Sequence, residues 1–170
     1  KFIKRKFSSR EMRKACFILT VLFTVSVTAQ THELLKHNGE KLEINYIKTD
    51  QNLLHFSTSE NSEEHTISKF AVASVRNKSN GAIQTISSKA AMEDKKAYKN
   101  VIFLKENETI GLQKGEAISC FFGVTKGMSH YDLMEMKKRR LTEKASKKGS
   151  PFIVITSEST DETKALLYNY

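Results

Sequence analysis

The chain predicts an α+β protein. A small antiparallel β module, a curled or barrel-like sheet, is followed by a second sheet covered by one main helix at about residues 129–148. Three observations carry this. Residues 30–87 alternate apolar and polar side chains in short runs broken by turn residues, with no helical spacing between them. Residues 129–148 place apolar side chains at helical spacing between a serine cap and a Gly149–Pro151 stop. Short apolar runs at 101–104, 117–122 and 152–156 lie on both sides of that helix, as strands packed under a helix do.

In chain order, Leu34-Leu35-Lys36-His37 leads into Asn38-Gly39, a hairpin pair because both residues tolerate positive φ. In 41–46, Leu42, Ile44 and Tyr46 alternate with polar residues, the pattern of a strand with one wet face. Residues 49–52 are turn material, 53–56 resume extended structure, and 57–64 are a polar loop. Residues 65–69 and 73–76 add two short strands before the turn at Ser79-Asn80-Gly81. Residues 88–99, charged and poor in large apolar side chains, form a connector with room for a helical turn. The stretch 101–104 is expected to be a strand covered on both faces, 109–112 a short strand, and 117–122 a further apolar one. In the helix, Ser129 caps and Asp132 completes the capping box, while Tyr131, Met134, Leu141 and Ala145 form the apolar stripe. Gly149 supplies the left-handed stop. Residues 152–156 read as a buried strand and 164–170 as a last edge strand. The domain reading is therefore a signal segment at 1–29, a strand-rich module at 30–87, a connector at 88–99 and an α/β module at 100–170.

Residues 12–29 have the layout of a secretory signal peptide: Met12, Arg13 and Lys14 run into an apolar core that closes on Val27-Thr28-Ala29. The core is short of the roughly 20 residues a membrane span needs, so no span is expected after cleavage. Residues 1–11 read as sequence upstream of a start at Met12. The leader also carries most of the net charge of +9. Residues 1–29 hold seven of the 28 Lys/Arg and one of the 19 Asp/Glu, which leaves +3 for the rest. The basicity that would suggest a nucleic-acid partner thus departs with the leader. Cys16 departs too, leaving Cys120 without a disulfide partner. Cys120 shares one strand face with Ile118 and Phe122, so it is expected to be buried.

Lys137, Arg140, Lys144, Lys147 and Lys148 fall on one flank of the predicted stripe, opposite Asp132, Glu135 and Glu143, and make a candidate surface for an anionic ligand. The plainer account is a solvated helix face braced by the pairs Glu135–Arg139 and Glu143–Lys147. The five histidines lack metal-ligand spacing, so neither a metal nor a cofactor is implied. Glycines at 111, 115, 123 and 127 match no phosphate loop, although residues 123–127 precede a helix N-terminus. Cys120 and His130 are the one nucleophile–base combination a strand-to-helix connection brings within reach, with no third group in view.

Residues 32–87, with Leu-Lys-His-Asn-Gly-Glu-Lys-Leu-Glu-Ile, then Ile67-Ser68-Lys69, Val75 and Asn80-Gly81, resemble a strand-rich module of exported Bacteroidota proteins. The Ala29-Gln30 junction resembles signal cleavage in that group. Tyr98-Lys-Asn-Val-Ile-Phe-Leu, Gly111-Leu-Gln-Lys-Gly-Glu and Lys-Ala-Ser-Lys-Lys-Gly149 before Phe-Ile-Val-Ile resemble small envelope proteins. Those are distantly similar to the heavy-metal-binding α/β fold whose helix ends in Gly-Ala-Asn-Ala. Here those residues are Gly149-Ser-Pro-Phe152, so the resemblance carries no metal site across. The resemblance implies no established activity. Taken with the leader and the lack of a catalytic set, the sequence predicts an exported binding or structural protein of the cell envelope, non-enzymatic, at a periplasmic, cell-surface or secreted address, with an anionic envelope component or another envelope protein as the candidate partners.

Overall fold

A computed structural model describes residues 31–58, 62–93, 97–122, 127–159 and 161–170. The predicted leader, residues 94–96 of the connector and residues 123–126 of the glycine loop lie outside them. The described chain is α+β: ten strands in two sheets, with one long helix.

The first sheet is built from β1 (His32–Lys36), β2 (Lys41–Asp50), β3 (Leu53–Ser57), β4 (His65–Ser68), β5 (Val72–Asn77) and β6 (Ile83–Thr85), in the order β4-β3-β2-β1-β5-β6, antiparallel throughout. Gly39, at φ 90°, makes the β1–β2 turn. Alternation puts Leu34, Ile44, Leu54, Phe56, Ile67 and Val75 on one buried face. A register shift between Tyr46 and Lys48 lets the long β2 pair β1 with its first half and β3 with its second, which curls the sheet. β4 and β6 stay at the two ends, so the sheet is curled and no closed barrel forms.

The second sheet, ordered β7-β9-β10-β8, comprises β7 (Ile102–Phe103), β8 (Gln113–Phe121), β9 (Phe152–Glu158) and β10 (Glu162–Asn169). Three expectations are corrected here. The run at 101–104 contributes only a two-residue edge strand, parallel to β9, with Ile102 partly exposed. The last strand is central, because Ala165 and Leu167 are buried under the helix while β8 and β9 pair its two sides. The strand expected at 109–112 is a 3-10 turn at Glu106–Thr109 followed by a reversal at Gly111.

Helix α1 (His130–Lys147) begins as its sequence requires. Ser129 Oγ accepts from the Asp132 N–H and donates to the Asp132 carboxylate. At the other end the Gly149 N–H donates to the Ser146 carbonyl and the Ser150 N–H to the Ala145 carbonyl, a Schellman stop with Gly149 at φ 70°. The face it turns to the sheet differs from the expected stripe. Leu141 and Ala145 are buried, but Tyr131 is 72% exposed, and Leu133, Met136 and the stem of Lys137 take its place. The helix has rolled toward its basic flank. Long lysine stems make this possible, since they cover apolar surface while their ammonium ends reach outward. The expected ion pairs shift accordingly: Arg139 bonds Glu143 at 3.1 Å and Lys138 faces Glu135 at 3.8 Å.

The two sheets meet in a third cluster, in which Leu104, Phe152 and Val154 pack with Phe70, Leu112, Tyr168 and Tyr170. Polar contacts join them as well. Glu108 is buried and accepts from the Lys105 N–H and the Asn52 amide, each at 2.8 Å. Those bonds, the main-chain one first, hold its carboxyl below the usual range against the opposing effect of burial. One described buried side-chain polar atom has no partner: Thr163 Oγ1, on β10 beneath α1. Thr163→Val keeps the shape and removes the unmet hydroxyl, so it should raise the chemical-denaturation stability by about 1 kcal/mol.

Candidate functional site

The predicted basic flank lies along the outer edge of β8. The hydrogen bond from the Phe122 N–H to the Asp161 carbonyl fixes the parity of the β8–β10 ladder, so the main-chain groups of Ser119 and Phe121 point away from β10. Left alone, that edge would offer free carbonyls to another strand. The helix supplies donors instead. Lys144 Nζ donates to the Ser119 carbonyl at 2.5 Å and Arg140 Nη1 to the Phe121 carbonyl at 3.3 Å. The Arg140 guanidinium also lies over the Phe122 ring, 4.1 Å from its centre. Lys148 Nζ pairs with the Glu116 carboxylate, which is held low by that bond. Lys137 is buried and its Nζ donates to the Ser159 carbonyl at 2.6 Å. Lys147 is exposed at the end of the helix. Four of the five flank residues therefore hold the helix to its own sheet.

This arrangement has a measurable consequence. The double substitution Arg140→Glu with Lys144→Glu removes two donors and opens the β8 edge. It should lower stability by about 1–3 kcal/mol, from two bonds worth about 0.5–1.5 kcal/mol each. Light scattering should also rise as freed edges associate. A flank that serves only a ligand would leave the unfolding midpoint unchanged.

Cys120 lies beneath the same helix, 2% exposed, with Sγ 3.8 Å from the Lys137 carbonyl. Burial pushes its thiol up, opposed in part by Lys144, Lys137, the Thr163 N–H and Arg140. His130 is an exposed first-turn residue of α1. Among the described residues no three His, Cys, Asp or Glu side chains come together as a metal site. Three further histidines pair with near neighbours in the first sheet: His55 with Glu64 at 2.5 Å, His65 with the Phe56 ring, and His32 with Thr31 and Tyr46.

The fold also assembles a cluster that local sequence patterns do not signal, because its members are far apart in the chain. Ser87 Oγ gives its proton to the Val72 carbonyl at 2.8 Å, so it accepts from His37 Nε2–H, also at 2.8 Å. The His37 ring meets the edge of Tyr170 at 4.7 Å, Lys89 Nζ lies 5.5 Å from that ring centre, and the Tyr170 hydroxyl accepts from the Ala90 N–H. Beside it opens a cleft of about 600 Å³ lined by Lys89, Met92, Glu93, Pro151, Asn169 and Tyr170. Its polar side chains are one cation, one carboxylate, one amide and one phenol.

His37 should report on this seam. Burial, and then the nearby Lys89 charge, lower its pKa below the ordinary imidazole value of about 6.5. The folded state therefore binds that proton later than the unfolded one. The stability this confers is complete above about pH 6.5 and is lost as pH falls from there through the folded value. Denaturation midpoints should decline over that interval, before the carboxylates titrate, and His37→Gln should flatten the decline.

Comparison of the chain with protein-family models, with curated proteins and with solved structures finds no match. Among the described residues no helix is long and apolar enough to cross a membrane.

Proposed function

We propose that the chain is an exported, non-catalytic binding or structural protein of the bacterial cell envelope. Export is supported by the leader pattern of residues 12–29, and the envelope by the resemblance of the two modules to small exported Bacteroidota proteins. The observation that carries the non-catalytic half is the fate of the reactive side chains. Cys120, Lys137, Arg140 and Lys144 each turn onto main-chain carbonyls of the same fold. A nucleophile or general acid must instead face a space that a substrate can enter.

Expression of the full sequence in a Gram-negative host tests both halves. The expected product begins at Gln30, lies outside the cytoplasm, and exposes a thiol to a small disulfide reagent only after denaturation. A cytoplasmic product that keeps residues 12–29 overturns export. Rapid labelling of the native protein overturns the non-catalytic half and returns Cys120 with His130 as a candidate pair. A second reading, capture of an anionic envelope component, draws on Lys147, which is exposed on the same flank. It requires salt-sensitive binding that a Lys147→Glu protein loses while its unfolding midpoint stays the same.

A further inference from the structure

The four sheet edges are not treated alike. β8 is covered by Arg140 and Lys144. β4 gives the Ser68 N–H to the Ile110 carbonyl of the neighbouring turn. β7 is two residues long. β6, three residues long, has neither a covering side chain nor a main-chain partner on its outer side among the described residues. The Asn77 N–H donates to the Ala82 carbonyl and the Ile86 N–H to the Ala73 carbonyl, which fixes the ladder parity. Ile83 and Thr85 therefore direct both N–H and C=O away from β5, where no described group meets them. All three β6 residues are exposed, and Ile83 is 66% exposed.

The sequence here is as unguarded as the backbone. Residues 79–88 carry no charge, in a chain in which 28% of residues are charged. Edge strands that must stay single usually carry lysine, proline or an inward charge. Pairing a strand with its own copy sets each residue near the same residues again, so any charge on it would face a like charge. The uncharged edge Ile83-Gln84-Thr85 meets that condition.

We propose that β6 is a strand-addition edge that pairs antiparallel with β6 of a second copy of this chain. Ile83 of each copy lies opposite Thr85 of the other, and the pair exchanges two main-chain hydrogen bonds on each side of a twofold axis. Gln84 of one copy faces Gln84 of the other on that axis, and the two six-stranded sheets become continuous. Three residues bury far less than the roughly 1,000 Å² of a stable interface, so the dimer is weak and depends on concentration. The inference stands apart from the proposed compartment and function.

Sedimentation equilibrium on the purified protein tests it. A monomer–dimer equilibrium is expected. Thr85→Pro should weaken it roughly tenfold or more, by removing the donor from two of four interstrand bonds. The Thr85 N–H faces away from β5, so the thermal midpoint should hold. Ile83→Lys should act similarly by placing charges across the axis, and it serves as the second variant where proline disturbs folding. Gln84→Cys should cross-link under mild oxidation, because facing strand residues meet the distance a disulfide needs. Ile47→Cys, at a site 49% exposed elsewhere on the sheet, should not. A protein that is monomeric at every concentration and whose Gln84→Cys variant does not cross-link overturns the proposal and leaves β6 to an extended segment of another protein. A dimer unaffected by either edge substitution also overturns it.

Discussion

Phe152→Ala is expected to destabilise the protein by about 3–5 kcal/mol, the range for removing a fully buried aromatic ring. Phe152 is 1% exposed at the start of β9. Its ring lies 5.6 Å from Phe70, which follows β4, and 5.2 Å edge-on from Tyr170, which follows β10. One side chain thus contacts both sheets. Partial collapse of the seam is the main factor that would reduce the cost, and the tyrosine is held in place by the Ala90 N–H. Urea unfolding followed by tyrosine fluorescence and by circular dichroism gives the test. The midpoint should fall, and the two probes should separate if the seam is what makes the sheets unfold together. Leu141→Ala is the comparison, since Leu141 is fully buried between α1 and the second sheet alone. It should cost about 2–5 kcal/mol with the probes still coincident. A Phe152→Ala protein with an unchanged midpoint would mean the two modules do not share a core.

The helix was legible because its signals are local. Ser129, Asp132 and Gly149 act within one turn of the residues they cap, and the structure uses each of them. The roll of the helix was not legible. Counting lysines as solvent-facing places the stripe at Tyr131 and Met134, whereas Lys137 is buried and Lys144 reaches across to Ser119. What a lysine stem covers depends on the edge beside it, and that edge is set by pairing between β8 and β10 across 40 or more residues. The flank is thus legible as a set, while the backbone carbonyls it serves are not. The same limit applies to the strand order. Asn38-Gly39 marks the β1–β2 hairpin, but nothing near Leu34 states that Val75 of β5 lies on its other side. The run at 164–170 reads as an edge strand after a polar loop. Its centre is buried because both neighbours arrive from earlier in the chain. His37, Ser87 and Tyr170 meet only after both sheets have formed, so no spacing could announce them.

Gly111→Ala should be the most costly change of a single methyl group, at about 2–5 kcal/mol. Two effects combine there. Gly111 sits at φ 87°, where a side chain costs about 1–2 kcal/mol by its contact with the following carbonyl. A Cβ at this position would also lie 2.6 Å from Ile67 Cγ1 and 2.8 Å from its Cδ1, with Ala71 Cβ at 3.4 Å. Ile67 is buried in the first core, where overpacking typically costs about 1–3 kcal/mol. The two effects can be separated by experiment. Gly39, at φ 90° in the β1–β2 turn, has nothing within 4 Å of its would-be Cβ, so Gly39→Ala carries the backbone cost alone. Ile67→Ala removes both crowding atoms without changing the backbone. Combined with Gly111→Ala it should be less destabilising than the sum of the two single changes. Strict additivity would show that the glycine is needed for its backbone conformation and not for the close approach. The expected coupling would instead show the turn after Thr109 to be pressed against Ile67, where the Ser68 N–H to Ile110 carbonyl bond also ties that turn to the β4 edge.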